Sequence, residues 1–344
     1  MEKILFLTHT EKDGTLSKGS REALTAAVDL TKKLAGSTLS VGLWGEDVKA
    51  AADTIAGCGA ESFRGVTGQE FASPRYASDV VAAESLARAA EASLVIAPTT
   101  SRASRALPGV TPRVGGRIDT HVAGIETEGD GLRIRRWYYR QRMVATLSRS
   151  HRPWILLVDS GVFAPWEGAA GSASLDSIAV DLPEGSRRTR VEGEVAATTT
   201  AQTIRPDAQL LFVAGAGWTK KQADGQTHVK EAENLILGFL EKTQASLGGS
   251  KSLVDQSGEG QELITFMTHM NQVGQTGATP RHPKGLATCC HGEEPHVVGW
   301  RFINERRAVN KDPACGWAQG KADVLYVADA FEVVAKINEL LKKG

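Results

Sequence analysis

The residues able to do chemistry in this chain stand as short, glycine-marked clusters in its last third. Gly248-Gly249-Ser250-Lys251 sets a glycine pair, a hydroxyl and a cation in a row. A glycine pair exposes backbone N–H groups, and a lysine beside them can face an anion or an electron-rich ring. The same four residues equally suit a helix ended by glycine and followed by a solvated lysine. Gln272-Val273-Gly274-Gln275-Thr276-Gly277 holds two amides and a hydroxyl between glycines. Such a loop can present N–H, amide and hydroxyl groups to a heteroaromatic ligand, and as an isolated pattern it can equally be a surface turn. Asn310-Lys311-Asp312-Pro313 and Ala328-Asp329 each follow an apolar run. These are positions where a doubly wound sheet gathers ligand contacts, and also where Asn and Asp form turns. Gly215-x-Gly217 lacks the third glycine of a dinucleotide fingerprint, with Lys220 in its place, so it reads as a tight turn.

Metal and thiol chemistry find less support. Cys58, Cys289, Cys290 and Cys315 form no C-x-x-C pair and no zinc-ligand spacing, and they exclude a disulfide framework. Adjacent Cys289 and Cys290 read as small buried residues at a strand end, with a redox pair as the alternative. His269 and His282 are isolated, and His291 and His296 stand five apart, off the i,i+4 spacing of a helical metal pair. The basic and aromatic run 133–142 (RIRRWYYRQR) alternates along a strand, which places one basic face toward a partner subunit.

Forty Lys and Arg balance forty Asp and Glu, so no basic excess exists to hold a phosphate backbone, and nucleic acid is excluded as the main partner. The apolar run near the N-terminus is too short for a signal-peptide core. No later run reaches the ~18 apolar residues of a membrane span. A cytoplasmic protein is expected. A chain of 344 residues suggests two domains.

The elements that must position these clusters follow from periodicity. Strands are predicted at 4–7, 39–43 and 94–97. Helices are predicted at 20–34, with Leu24, Ala27, Val28, Leu30 and Leu34 inward, at 48–56, and at 78–90 with Ser78 as N-cap. Apolar strands without alternation, separated by helices, imply a parallel sheet covered on both faces. From 119 to 158 four strands (122–125, 132–138, 144–147, 154–158) follow one another through short turns, without room for helices. The stretch 159–206 is rich in Gly, Ser, Ala and Thr, with weak strand signals near 178–180 and 191–195, and reads as a linker. Beyond it come a strand at 210–214, a helix at 229–247, a Gly-Gly turn and a strand near 253–254. Further strands at 286–288, 308–310 and 324–327 precede a closing helix at 331–341. The expected organisation is an α/β chain in three parts. Residues 1–160 form an N-terminal parallel sheet with added antiparallel strands, 161–206 a linker, and 207–344 a doubly wound second domain.

Taken in order, the C-terminal clusters resemble the flavin domain of the electron transfer flavoprotein alpha subunit family. That family runs from a strand and glycine turn to G-A-S-R-A-A-V-D, Q-V-G-Q-T-G, G-I-S-G-A-I-Q-H, I-N-K-D and a final A-D. Here 248–255 is similar to the second element with Lys251 for arginine, 272–277 matches the third in full, and 309–313 carries the I-N-K-D loop. The resemblance spans 209–341, and the first half joins it through its alternating elements and the 113–125 segment. It implies FAD in the second domain, held by Ser250, Lys251, Val273, Gly274, Gln275, Thr276, His291, Gly292, His296, Asn310 and Asp329. By the same resemblance Thr276 stands near flavin N5, His296 near the pyrimidine carbonyl, and Asn310 and Asp329 at the adenosine half. No side chain breaks a bond in this scheme, because the flavin carries the electrons. The implied partners are a beta-type subunit in a heterodimer, a flavin-dependent dehydrogenase as electron donor, and a downstream redox acceptor.

Departures from that pattern mark a divergent member. Lys251 keeps the charge of the family arginine and loses its planar fork, which predicts a shifted flavin potential. His291 replaces a serine, Glu293-Glu294-Pro295 replaces A-I-Q, and Ala216 stands where the glycine turn has arginine. The chain between 255 and 272 is longer than the family's, and an extra helix is predicted at 262–270. Its Phe266, Met267 and Met270 read as core filler, or as a docking surface. Two other readings follow: a subunit of an electron-bifurcating NAD-linked flavoprotein, and a flavin-free scaffold or nucleotide-binding subunit.

Overall fold

Lys3–His9 is buried from its second residue onward and forms β1, flanked on both sides by parallel neighbours. In the computed structural model, residues 1–128, 131–138, 143–193, 205, 208–255, 262–273, 282–288 and 303–343 are described. Contacts divide the chain into two units, Met1–Glu194 and Val195–Gly344. Among the described residues, no helix is long and apolar enough to cross a membrane.

The first unit alternates β1, α1 (Lys18–Lys33), β2 (Thr38–Gly45), α2 (Lys49–Thr54), β3 (Ser62–Thr67), α3 (Tyr76–Ala89), β4 (Leu94–Pro98) and α4 (Ser101–Arg113). There follow β5 (Arg117–Glu128), β6 (Gly131–Tyr138), β7 (Met143–Leu147), β8 (Trp154–Val158) and β9 (Leu175–Ser177). The sheet runs β7-β6-β5-β8-β4-β1-β2-β3-β9, parallel from β5 to β9 and antiparallel through β5-β6-β7. The parallel sheet with added antiparallel strands is therefore present. Ile4 and Phe6 enter the core under one face, and Leu5 and Leu7 the core under the other. A strand covered on both faces has no polar alternation to show.

Some elements depart from expectation. Helix α3 begins at Tyr76, and Ser78 does not cap it: its hydroxyl is fully inside and donates to the Arg75 carbonyl, 3.2 Å away. Helix α4 stands where no element was predicted, and Pro108 and Pro112 lie inside it. Thr100 caps it, and Ala103, Ala106, Leu107 and Val110 bury one face completely. Packing outweighs the lost N–H groups there. The basic run is partly neutralised, since Arg136 and Arg149 both pair with buried Asp119 and Arg135 pairs with Glu126.

The Gly- and Ala-rich stretch after β8 lies along the first unit as far as Gly193 and is held by its main chain. Gly161 N–H donates to Glu22 Oε2 at 2.8 Å, Trp166 N–H to the Arg21 carbonyl at 3.1 Å and Ala173 N–H to Asp53 Oδ1 at 2.8 Å. Backbone docking of this kind leaves no hydrophobic period in the sequence.

The second unit contains β10 (Leu210–Ala214), α5 (Val229–Thr243), β11 (Ser246–Gly249), α6 (Lys251–Asp255) and β12 (Lys284–Thr288). It continues with β13 (Glu305–Asn310), α7 (Gly316–Lys321), β14 (Val324–Val327) and α8 (Ala330–Leu340). All strands are parallel, in the order β11-β10-β12-β13-β14. This is a doubly wound sheet whose winding reverses between β10 and β12, and ligands of such sheets bind beyond the strand carboxyl ends at that reversal.

Two local expectations fail here. The helix predicted to 247 stops at Thr243, where Gln244 takes a left-handed conformation (φ 54°) and closes the last turn onto the Leu240 carbonyl. Leu247 lies seven residues after Leu240, in step with the helix period, but it pairs with Phe212 as part of β11. The strand predicted near 253–254 is consequently the helix α6. The extra helix at 262–270 is also absent. That stretch is irregular, with one 3-10 turn at His269–Asn271, and Ile264, Phe266 and Met267 pack into the core beside α5.

Candidate functional site

The chemistry-bearing clusters sit at the carboxyl edge of the second sheet. Beyond β11, Ser250 N–H donates to the Ala214 carbonyl at the end of β10, 2.9 Å away. Ser250 is fully buried, and its hydroxyl oxygen accepts the Leu253 N–H at 3.2 Å, closing the first turn of α6. Lys251 opens that helix on an exposed position. The Gly-Gly pair thus ends a strand and leads into a helix, where the sequence had suggested a helix followed by a strand.

Gly248 is required by a close approach. A Cβ there would lie 2.5 Å from Val273 Cγ2. Gln272 and Val273 come alongside the end of β11, with Gln272 bridging to Gly249 and Val273 N–H donating to the Gly249 carbonyl at 3.1 Å. Across the reversal, the Gly215-x-Gly217 turn is a buried 3-10 turn filled by Trp218. The indole N–H donates to Thr288 Oγ1 at 2.8 Å, and the ring lies 4.5 Å from that of Phe331.

The ends of β13 and β14 complete the edge. Asn310 is fully buried, and its Oδ1 accepts the Asp312 N–H at 3.0 Å. Its amide nitrogen Nδ2 meets no acceptor among the described residues. Asp329 caps α8 by accepting the Phe331 N–H at 2.7 Å and forms an ion pair with Lys311. Burial pushes the Asp329 carboxyl up, but Lys311 and the Phe331 N–H more than offset it and hold the pKa below the usual range. The nitrogen Nε2 of buried Gln272 likewise meets no acceptor among the described residues.

Ser250, Lys251 and Val273 therefore stand at the carboxyl ends of β10 and β11, and Asn310 and Asp329 at those of β13 and β14. Gly274, Gln275, Thr276, His291, Gly292 and His296 lie outside the described residues, as do Cys289, Cys290, Glu293, Glu294 and Pro295. Sequence reasoning did not single out Gln272 and Lys311 as individual groups, although both stand inside the clusters it marked. Trp218 carried no signal at all. A group rich in acceptor oxygens suits this edge, because two buried amide N–H2 groups there are uncommitted. The one described carboxylate among the site residues is already paired with a lysine.

The family model for the electron transfer flavoprotein domain matches residues 4–184, more than half of the chain. The chain belongs to the electron transfer flavoprotein domain family. The match covers the first unit, whereas the motifs that carry the resemblance lie in the second. A relative described as electron transfer flavoprotein subunit alpha, from Clostridium acetobutylicum, is 24% identical over 344 residues, covering 96% of this chain and 92% of the relative. Protein FixB of Clostridium saccharobutylicum is 25% identical over 239 residues, 67% of this chain and 63% of that protein. The mitochondrial electron transfer flavoprotein subunit alpha of Dictyostelium discoideum is 27% identical over 245 residues, 68% of this chain and 62% of its own length. Two of the three matches thus span less than two thirds of the relative.

Proposed function

We propose that this chain is the alpha-type subunit of an electron transfer flavoprotein. It binds FAD at the carboxyl edge of the second sheet, pairs with a beta-type subunit, and passes electrons from a flavin-dependent dehydrogenase to a downstream acceptor. The observation that carries the reading is the pair of uncommitted amide donors, on Gln272 and Asn310, at the edge where a doubly wound sheet takes its ligand. Similarity along 96% of the chain to a relative named as an alpha subunit supports it.

FAD would supply the reversible electron uptake. The chain's own residues bind and orient. Ser250 sets the entry to α6, and Val273, Gly274, Gln275 and Thr276 would hold the ring and ribityl chain. His291, Gly292 and His296 would add to that set, and Asn310 and Asp329 would hold the adenosine half. Lys251 would supply a cation to the bound ring, which favours an added electron.

A visible absorption spectrum of the chain co-purified with its beta-type partner tests the reading, with the released cofactor identified by chromatography. Flavin bands and about one FAD per chain are expected. A colourless, folded complex that FAD cannot reconstitute would overturn it and leave a flavin-free scaffold.

A further inference from the structure

Trp218 is not among the proposed FAD residues, yet it stands between two strand ends from which they leave. It belongs to the turn after β10, and that turn is closed on itself. Trp218 N–H donates to the Gly215 carbonyl at 3.3 Å, and Thr219 Oγ1 to the Ala216 carbonyl at 3.0 Å. The indole is 0% exposed.

On one side the indole N–H reaches Thr288, the last residue of β12, at 2.8 Å. The Thr288 hydroxyl passes its own proton to the Val213 carbonyl at 2.9 Å, and the Thr288 carbonyl accepts the Gly215 N–H at 2.9 Å. The exit of β12 is thereby fixed, and His291 and Gly292 follow it closely in the chain. On the other side the ring lies 4.5 Å from that of Phe331, tilted by 51°. Phe331 carries the N–H that Asp329 caps at 2.7 Å. A residue that only fills a core needs an apolar surface. A buried indole also needs an acceptor, and here that acceptor is the side chain that ends a strand.

We propose that Trp218 is a positioning residue for FAD. It sets the chain leaving β12 against the start of α8, so that the holders of the two halves of the dinucleotide are spaced before it arrives. Holders fixed in advance spare the ordering cost of binding. This rests on FAD occupying the edge, as read above.

Four variants of the cofactor-stripped complex test it, titrated with FAD at a temperature where each is folded. Trp218→Phe keeps a ring against Phe331 and removes the indole N–H. Thr288→Val removes the acceptor, and Thr288→Ser keeps it. Phe239→Leu is the control: it thins the same core from α5, 5.0 Å from Phe212, away from both strand exits. Trp218→Phe and Thr288→Val should bind FAD about fivefold more weakly, and Thr288→Ser as tightly as wild type. Phe239→Leu should melt lower with its FAD affinity unchanged. The visible circular dichroism of the bound flavin should change in Trp218→Phe and stay the same in Phe239→Leu.

Wild-type affinity and flavin dichroism in Trp218→Phe, with normal wild-type uptake, overturn this assignment alone. So does a Phe239→Leu complex that loses FAD affinity as far as Trp218→Phe does, since any thinning of the core would then suffice. Should Thr288→Val not fold, Trp218→Phe against Phe239→Leu decides. A folded wild-type complex that takes up no FAD sinks the parent reading, and this one with it.

Discussion

Lys311 and Asp329 form an ion pair between the carboxyl ends of the adjacent parallel strands β13 and β14. The same carboxylate caps α8, so one side chain joins two strand ends and a helix start. The two functions separate by substitution. Asp329→Asn keeps an oxygen for the Phe331 N–H and loses the ion pair, and Asp329→Ala loses both. The cap contributes about 1 kcal/mol. The pair, with Lys311 partly exposed, contributes under about 1 kcal/mol. Urea denaturation should therefore rank wild type above Asp329→Asn and Asp329→Ala last. Because the folded pKa is depressed, this stability is present above the unfolded carboxyl value and is lost as the pH falls through the folded one. Equal stability of the two variants would show that the cap contributes nothing.

Gly248 and Gly249 are neighbours with different tolerances. A Cβ on Gly248 would stand 2.5 Å from Val273 Cγ2 and 3.3 Å from Leu211 Cδ1, both in packed positions. On Gly249 the close atom is Met267 Cε, also at 2.5 Å, at the free end of a flexible side chain. Gly248→Ala should cost about 1–3 kcal/mol and Gly249→Ala under about 1 kcal/mol. The first should also weaken FAD uptake, since Val273 belongs to the proposed FAD site. Chemical denaturation together with FAD titration checks both, and equal costs would refute the difference.

The parallel strands were legible because a strand buried on both faces is a short apolar run, as in 4–7 and 94–97. The site clusters were legible because glycines and small polar residues gather at strand ends. What escaped depends on contacts far apart in sequence. Helix α4 survives two prolines through a face that only the fold buries, and Gly109 within it lies against Tyr76. The end of α5 turns on one left-handed residue, Gln244, of a type that does not ordinarily stop a helix. Leu247 sits in phase with that helix and belongs to a strand. Trp218 fills a turn whose glycines were the only visible feature. The stretch 159–193 is held by main-chain hydrogen bonds and by scattered side chains, Trp166, Leu175 and Ile178 among them, that pack on the cores without a regular period.

Lys251 predicts a direction for the flavin potential. It is the first residue of α6, directly after the buried serine that begins the site. In the proposed complex its charge stabilises the reduced, negatively charged ring. Lys251→Ala should make the FAD couple more negative, by an amount on the order of tens of millivolts because the position is solvent-screened. Lys251→Arg should restore the potential and add planar stacking. Spectroelectrochemical titration of the three complexes measures this. A potential unmoved by Lys251→Ala would place the charge away from the ring.

His9 gives the first unit a pH-dependent stability. At the end of β1 it is 5% exposed, with Nδ1 facing the Thr10 carbonyl at 3.2 Å and Nε2 lying 3.0 Å from Thr100 Oγ1. A carbonyl accepts only from an N–H, so the neutral ring carries its proton on Nδ1 and takes the Thr100 hydroxyl proton at Nε2. Thr100 in turn accepts the Ala103 N–H and caps α4. Burial, followed by the nearby charge of Arg102, pushes the pKa down from 6.5 to about 4, against the opposing pull of Asp79. The unfolded chain therefore binds a proton between these values that the folded chain refuses. Stability from this source is complete above about pH 6.5 and falls as the pH drops toward 4, by about 3 kcal/mol across the window. His9→Gln keeps a polar amide and removes the titration. Urea denaturation at pH 5 and pH 7 should show a smaller loss on acidification for His9→Gln than for wild type, the carboxylates contributing equally to both. The same loss in the two proteins would mean that His9 takes up its proton in the folded state as readily as in the unfolded one.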